Sequence, residues 1–349
     1  MSRDAARLTP QEQSSEELAP LRTGPWTSSH IARWCAAQQN WDKIHYDLAY
    51  AREVAKLPGT IINGALKQHL IVQFLEQVFP DAWVWRIDYR FSGMDLVGQA
   101  LEVHGKVSDS REVGGQSYVT IEFGIRNVEQ SEDNTAGTAV LIRNGRPASM
   151  QVVEDISAPA EMHLDTSVRE PDPAMPQRVN DKLGARLERV ESDYDIDLSR
   201  LRLFAEAVGG LSPIHFDPDS PAAKAAGGVL ATPLFPLHAL EAMPGRLRLS
   251  VDPAAMGREG VNEVGRHMAG HFGFEIAWNG GNKVQVHSLA RAGERVVAES
   301  TLAGAYSRVG KVGGRMLFFE TVNRYATTTG RALVTGRQVM VCRPNEDRE

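Results

Sequence analysis

Cysteine is nearly absent: Cys35 and Cys342 are the only two in 349 residues. Two thiols cannot build a disulfide framework, nor a zinc site of their own. An excess of positive charge is missing too. Lys+Arg number 38 against Asp+Glu 44, a formal net charge of -6, and no basic stripe marks a nucleic-acid partner. No apolar run has the length a bilayer demands, and no secretory h-region lies near the start. These absences point to a reducing cytoplasm, without membrane or nucleic acid as partners. Hydrophobic residues make up 42% and charged residues 23%, the values of a globular chain with room for two domains.

What is present is a repeat. Ile44-His45-Tyr46-Asp47 returns 170 positions later as Ile214-His215-Phe216-Asp217. Each copy follows an amphipathic helical stretch and precedes a glycine-led apolar segment, Gly59–Gly64 in one case and Gly228–Pro233 in the other. Spacing preserved to this degree indicates two copies of one structural unit.

Between these markers the pattern is that of an α+β protein. Ser28 and Ser29 open a helical stretch carrying Ile31, Trp34 and Cys35. Residues 64–78 form the strongest helix, with Leu66, Leu70, Ile71, Phe74, Leu75 and Val78 on one broad face. Trp83, Trp85, Ile87, Tyr89 and Phe91 then alternate with Arg86, Asp88 and Arg90, as in a half-buried strand. Strands are expected over 101–107, 119–126 and 138–143, giving a sheet able to wrap the helix. Residues 147–192 are rich in proline and acid and read as a linker crossing the surface of both halves. The second unit repeats the order: a helix capped by Ser199, the histidine phrase, the glycine segment, then strands over 272–278, 284–289, 295–306, 316–325 and 332–342. Its central helix is expected to be short or broken, because Pro233, Pro236 and Pro244 fall where the first half runs on.

His45 lies just beyond a helix with Asn40, Asp42 and Asp47 nearby. Here is a group that titrates near neutral pH, with acidic and amide neighbours able to orient a water. Gly64 opens the long helix and offers a backbone N–H at a positive helix end, suited to a developing oxyanion. Asn63 and Tyr46 complete the candidate set on the substrate side.

These phrases resemble those of the double-hotdog, MaoC-like hydratases and dehydratases, which include (R)-specific enoyl-CoA hydratases. That family's motif reads roughly Gly-Asp-x-Asn-Pro-(Ile/Leu/Val)-His-x-Asp. Residues 209–217, Gly-Gly-Leu-Ser-Pro-Ile-His-Phe-Asp, match it with the Asp and Asn lost, and residues 40–47, Asn-Trp-Asp-Lys-Ile-His-Tyr-Asp, match it with Asn in place of the catalytic Asp. The first copy is similar to the branch of mesaconyl-CoA-type hydratases. Tyr89–Phe91, Gly98, Ile125–Asn127 and Gly137–Ala139 also resemble family strand positions.

The resemblance implies two tandem hotdog units, each an antiparallel sheet wrapped around a central helix, with the second unit degenerate. The expected division is a disordered tail (1–21), a catalytic hotdog (22–146), the linker (147–192), a supporting hotdog (193–344) and a short tail (345–349). The family usually places the degenerate half first; this chain reverses the order, since Thr232-Pro233 stands where the first half has Asn63-Gly64. The implied activity is reversible hydration of a 2-enoyl-CoA to a 3-hydroxyacyl-CoA. Catalysis falls to His45 with Asp42 or Asn40, and substrate contact to Gly64, Asn63 and Tyr46. No cofactor is implied beyond the coenzyme A of the substrate, and the partner is a second copy or another hotdog protein. The alternatives are a hotdog thioesterase and a non-catalytic subunit of a heteromeric hydratase.

Other features have blander readings. His215 keeps the phrase but not its partners and is expected to make a structural hydrogen bond. His267 and His271 have the spacing of a metal pair but no third ligand, so no metal is expected. Residues 310–315 lack phosphate-loop spacing and read as a turn. Trp83 and Trp85 read as core or groove wall. Lys67, Arg86 and Arg90 read as solvated surface, available to coenzyme A phosphates.

Overall fold

The computed structural model describes residues 17–143, 156, 158–209, 212–240, 277–310 and 314–342. The first half contains β1 (Leu21–Thr23), α1 (Ser28–Gln38), α2 (Gly64–Val78), β2 (Trp83–Phe91), β3 (Leu101–Val113), β4 (Gln116–Asn127) and β5 (Thr135–Arg143). The second contains α3 (Gln177–Asn180), β6 (Arg186–Glu191), α4 (Leu198–Val208), α5 (Pro221–Ala226), β7 (Ala277–Val286), β8 (Val296–Val309), β9 (Arg315–Thr327) and β10 (Ala332–Cys342).

All the described strands join one antiparallel sheet in the order β1-β3-β4-β5-β2-β7-β10-β9-β8-β6. Read outward from its centre, the order is 2-5-4-3-1 on one side and 7-10-9-8-6 on the other. The five strands of each half therefore correspond in chain order, related by an approximate two-fold axis between β2 and β7. These two pair directly, Arg86–Arg90 against Gln285–Gly281. Gly281 is required there: with φ 146° it sits where a Cβ would lie 2.3 Å from the Tyr89 carbonyl oxygen.

The duplication extends to single hydrogen bonds. Ile61 N–H donates to Ile44 O and Leu230 N–H to Ile214 O, both at 3.1 Å. Ile62 N–H reaches Asp95 O and Ala231 N–H reaches Ala290 O, both at 2.8 Å. Gly98 N–H meets Trp26 O and Gly293 N–H meets Ile196 O, both at 2.7 Å.

Helix α2 fills the first half. Leu66, Leu70, Ile71, Phe74 and Leu75 are fully buried, and Lys67, Gln68 and His69 are buried as well. A helix covered nearly all round lies inside a core. In β2, Ile87 and Tyr89 are buried towards it, but a bulge between Val84 and Arg86 breaks the expected alternation, and buried Trp85 packs instead against Tyr118 and His163. In the second half, the described residues 234–240 hold a short 3-10 turn, Phe235–His238, in place of such a helix.

Residues 162–169, between the halves, lie along the opposite face of the sheet. Arg86 Nη1 donates to the carbonyls of Met162 and His163, Leu164 N–H to Gln285 Oε1, and Arg169 N–H to Ala303 O. Met175 and Val179 close a second, smaller apolar cluster with Leu302, Leu317, Phe319 and Met340.

Several expected boundaries shift. Residues 17–21 are not tail: Leu18 N–H donates to Gly105 O, Glu17 bridges Lys106, and Leu21 opens β1 against β3. A three-residue strand carries too little pattern to be read locally. The second half of the sheet begins inside the expected linker, at Arg186, because β6 pairs with β8 at its far edge. The helix caps are Thr27 and Asp197 rather than Ser28 and Ser199. One strand, β7, runs through most of the span where two were expected. Gly210, Leu211, Pro244, His267, His271 and residues 311–313 lie outside the described residues.

Candidate active site

Helix α1 ends at Gln39, in the left-handed conformation (φ 57°), and Asn40 N–H turns back onto Cys35 O. Asp42 then caps a 3-10 turn, Lys43–His45, through Oδ1 to Ile44 N–H at 3.2 Å. The turn sets His45 against the segment that leads into α2. His45 Nδ1 lies 2.9 Å from Ile61 O. A carbonyl only accepts, so Nδ1 carries the proton and Nε2 is left with a lone pair. Burial pulls the His45 pKa down to about 4, opposed only partly by that bond. Its ring is therefore neutral at physiological pH, in the state of a base.

Three residues after Ile61, α2 begins. Asn63 is its N-cap residue and Gly64 its first helical residue. The amides of a first helical turn have no intrahelical acceptor, and the helix end is positive. A Cβ on Gly64 would sit 2.8 Å from Phe91 Cζ, so glycine lets this ring pack against the helix start. Asn63 is buried, with both amide atoms 3.8 Å from Cys35 Sγ. Burial raises the Cys35 pKa to about 11, so it stays a thiol.

The remaining candidates separate by what they touch. Asn40 is buried, and its Oδ1 accepts from Asp42 N–H at 3.0 Å. Its NH₂ can orient a water but cannot exchange a proton. Asp42 is half-buried and spends one carboxylate oxygen on its cap. Tyr46 is exposed, its hydroxyl bound to Trp41 O at 2.7 Å. In the second copy His215 Nδ1 makes the same bond to Leu230 O at 2.9 Å, but the ring is 1% exposed against 8% for His45. Thr232 and Pro233 replace Asn63 and Gly64, and proline has no N–H to offer.

Two expectations about basic residues are overturned. Lys67 is not solvated: it is buried in contact with Asp95, itself fully buried. Arg86 is held by Asp88 and by the linker carbonyls, leaving no free guanidinium for a phosphate. Arg90 is exposed as expected.

A polar cluster on the two-fold axis was not anticipated. Tyr89 Oη donates to Gln68 Oε1 (2.6 Å) and accepts from Asn282 Nδ2 (2.9 Å). Gln68 Nε2 and His69 Nε2 then meet His238 Nε2 at 3.1 and 3.2 Å. His69 and His238 stand 169 positions apart, the offset that relates Ile61 to Leu230, so the repeat itself carried the signal. Among the described residues no cluster could hold a metal ion, and no helix is long and apolar enough to cross a membrane.

Two family models match the chain: hydroxyacyl-thioester dehydratase type 2 over residues 2–97, and the FAS1-like dehydratase domain region over residues 183–336. No curated protein sequence matches it. Among solved structures, the chain is similar to a MaoC domain protein dehydratase from Chloroflexus aurantiacus, with TM-score 0.61 and 12% identity over 98% of this chain and 100% of that one. A MaoC-like dehydratase gives TM-score 0.56 and 13% identity over 93% and 98%. A Mycobacterium tuberculosis protein described as a double hotdog fold gives 0.53 and 10% over 95% and 94%. These structural likenesses define the fold, and the family models define the class. The fold is a double hotdog; the first half matches a hydroxyacyl-thioester dehydratase model and the second a dehydratase domain model.

Proposed function

We propose that the first half of the chain adds water reversibly to a 2-enoyl-CoA, giving a 3-hydroxyacyl-CoA. The observation that carries this reading is a neutral His45 held on the Ile61 carbonyl, three residues before the bare first amides of α2. Nε2 of His45 takes a proton from water while the oxygen attacks C3. The electrons move to the thioester oxygen, which the Gly64 N–H receives as an enolate. The protonated His45 then returns its proton to C2. Asn40 holds the water through its NH₂. One group serving as base and then acid delivers hydroxyl and hydrogen to the same face of the double bond.

Hydrolysis of the thioester is disfavoured on a particular ground. It calls for a carboxylate on the central helix, and α2 carries only Glu76, near its far end. The absorbance of enoyl-CoA esters incubated with the purified protein decides the matter. Its loss without free thiol supports hydration; release of thiol means hydrolysis. Inactivity across chain lengths means a subunit that completes its site with another hotdog protein.

The acyl group is read from the second half, where residues 234–240 hold a 3-10 turn, Phe235–His238, directly after Pro233. A 3-10 turn where the first half has the long helix α2 suits a bulky or branched acyl chain. Higher kcat/KM on such an ester than on crotonyl-CoA or mesaconyl-CoA is the expected result. We place the enzyme in the cytoplasm, as a homodimer or a heteromer with a related chain.

A further inference from the structure

Asp95 is bound to the start of α2 at two points. Its carbonyl accepts the N–H of Ile62 at 2.8 Å, and its carboxylate touches the ammonium of Lys67. Gly64 lies between these two anchors. Phe91 fills the gap, its ring against Gly64 on one side and 5.5 Å from Lys67 Nζ on the other. Asn134 Nδ2 holds the second carboxylate oxygen at 2.9 Å, and Thr135 Oγ1 accepts from Lys67 at 3.4 Å. Both members of the pair are essentially solvent-free.

A buried ion pair is an expensive way to stabilise a fold; apolar replacement is often neutral or favourable. The second copy provides the internal comparison. Bond for bond, Ala290 occupies the place of Asp95, and at the same offset Pro236 stands for Lys67 and Pro233 for Gly64. That copy still holds its histidine on the equivalent carbonyl. The histidine bond therefore forms without the ion pair, and the pair is missing from the copy that also lacks the amide.

We propose that Lys67 and Asp95 are positioning residues for the Gly64 amide. Clamped from both sides by one residue, the Ile62–Lys67 segment holds its N–H where the thioester oxygen becomes an enolate. This rests on the hydration reading given above.

The test uses the full chain carrying Lys67→Met together with Asp95→Leu, assayed on the enoyl-CoA panel beside the wild type. The expected result is a folded protein with Tm close to wild type, kcat lower by about a hundredfold and KM within about twofold, the signature of a lost transition-state contact. A kcat within about twofold of wild type overturns the clamp alone. So does a loss of rate that merely tracks a fall in Tm. Should the double variant not fold, Asp95→Asn, which keeps the Ile62 and Asn134 bonds, must show the same split, and a normal kcat there overturns the proposal. An inactive wild type removes the hydration reading and the clamp together.

Discussion

His69 Nε2 lies 3.2 Å from His238 Nε2, across the axis that relates the two halves. His69 is buried and His238 half-buried, both packed edge-on or tilted against Trp34 and Phe204, themselves symmetry partners. Gln68 donates to His238 Nε2, so that nitrogen is an acceptor, and His69 supplies the second N–H. The contact holds only while His238 keeps the lone pair on Nε2. Burial, with Arg200 nearby, brings His238 down to about 3; burial and His238 hold His69 well below its usual range.

Acid should loosen the junction between the halves. Unfolded histidines take up protons near pH 6.5, while in the folded chain His45 stays neutral until about pH 4, His238 until about 3, and burial holds His69 well below its usual range. The unfolded state then binds more protons, so stability falls as pH falls from about 6.5. Each histidine contributes a slope of about 1.4 kcal/mol per pH unit. Urea unfolding between about pH 6.5 and 5, where carboxylates stay charged, measures it. His69→Gln retains a donor and should remove one histidine's share; an unchanged slope would count against a neutral pair.

The two phrase histidines should separate rate from stability. His45→Ala is expected to lower kcat by about a hundredfold or more. His215→Ala, which empties a buried site and frees the Leu230 carbonyl, should cost about 1–3 kcal/mol with little change in rate. Equal rate losses in two folded variants would contradict the one-site assignment.

The pH dependence of kcat/KM follows from the burial of His45. The base must be neutral, so activity is lost as pH falls through about 4, well below the 6.5 of an ordinary histidine. Rates taken only where circular dichroism shows folded protein give the midpoint. An acid limb near pH 6.5 would mean a solvated imidazole.

Asp42 and Asn40 should behave oppositely. Asp42→Asn preserves a capping oxygen and should remain active. Asn40→Ala removes the water's donor and should cost about tenfold or more in kcat. Asn40→Asp should be tolerated. A folded Asp42→Asn with almost no turnover would restore Asp42 as the proton source.

Much of this site was legible because its signals are local. The period of Leu66 to Leu75 marks α2, the alternation from Trp83 to Tyr89 marks β2, and the recurring phrase exposes the duplication. What stayed hidden depends on remote partners. Lys67 reads as one more polar residue on a helix until Asp95, in a loop beyond the next strand, is brought against it. β1 and β6 exist only because β3 and β8 offer them an edge. The Gln68–His238 contact needs both halves in place.

The central seam of the sheet joins β2 to β7 through five residue pairs, Arg86–Arg90 with Gln285–Gly281. Two separate chains meeting along so short a ladder would depend on concentration; a covalent tether supplies an effective concentration in the millimolar range instead. It also frees the halves from identity. In a symmetric dimer of one gene product, a proline at the helix start would appear in both sites at once. Here Pro233 arises in one half while Gly64 persists in the other, so one active centre can be surrendered without losing the catalyst.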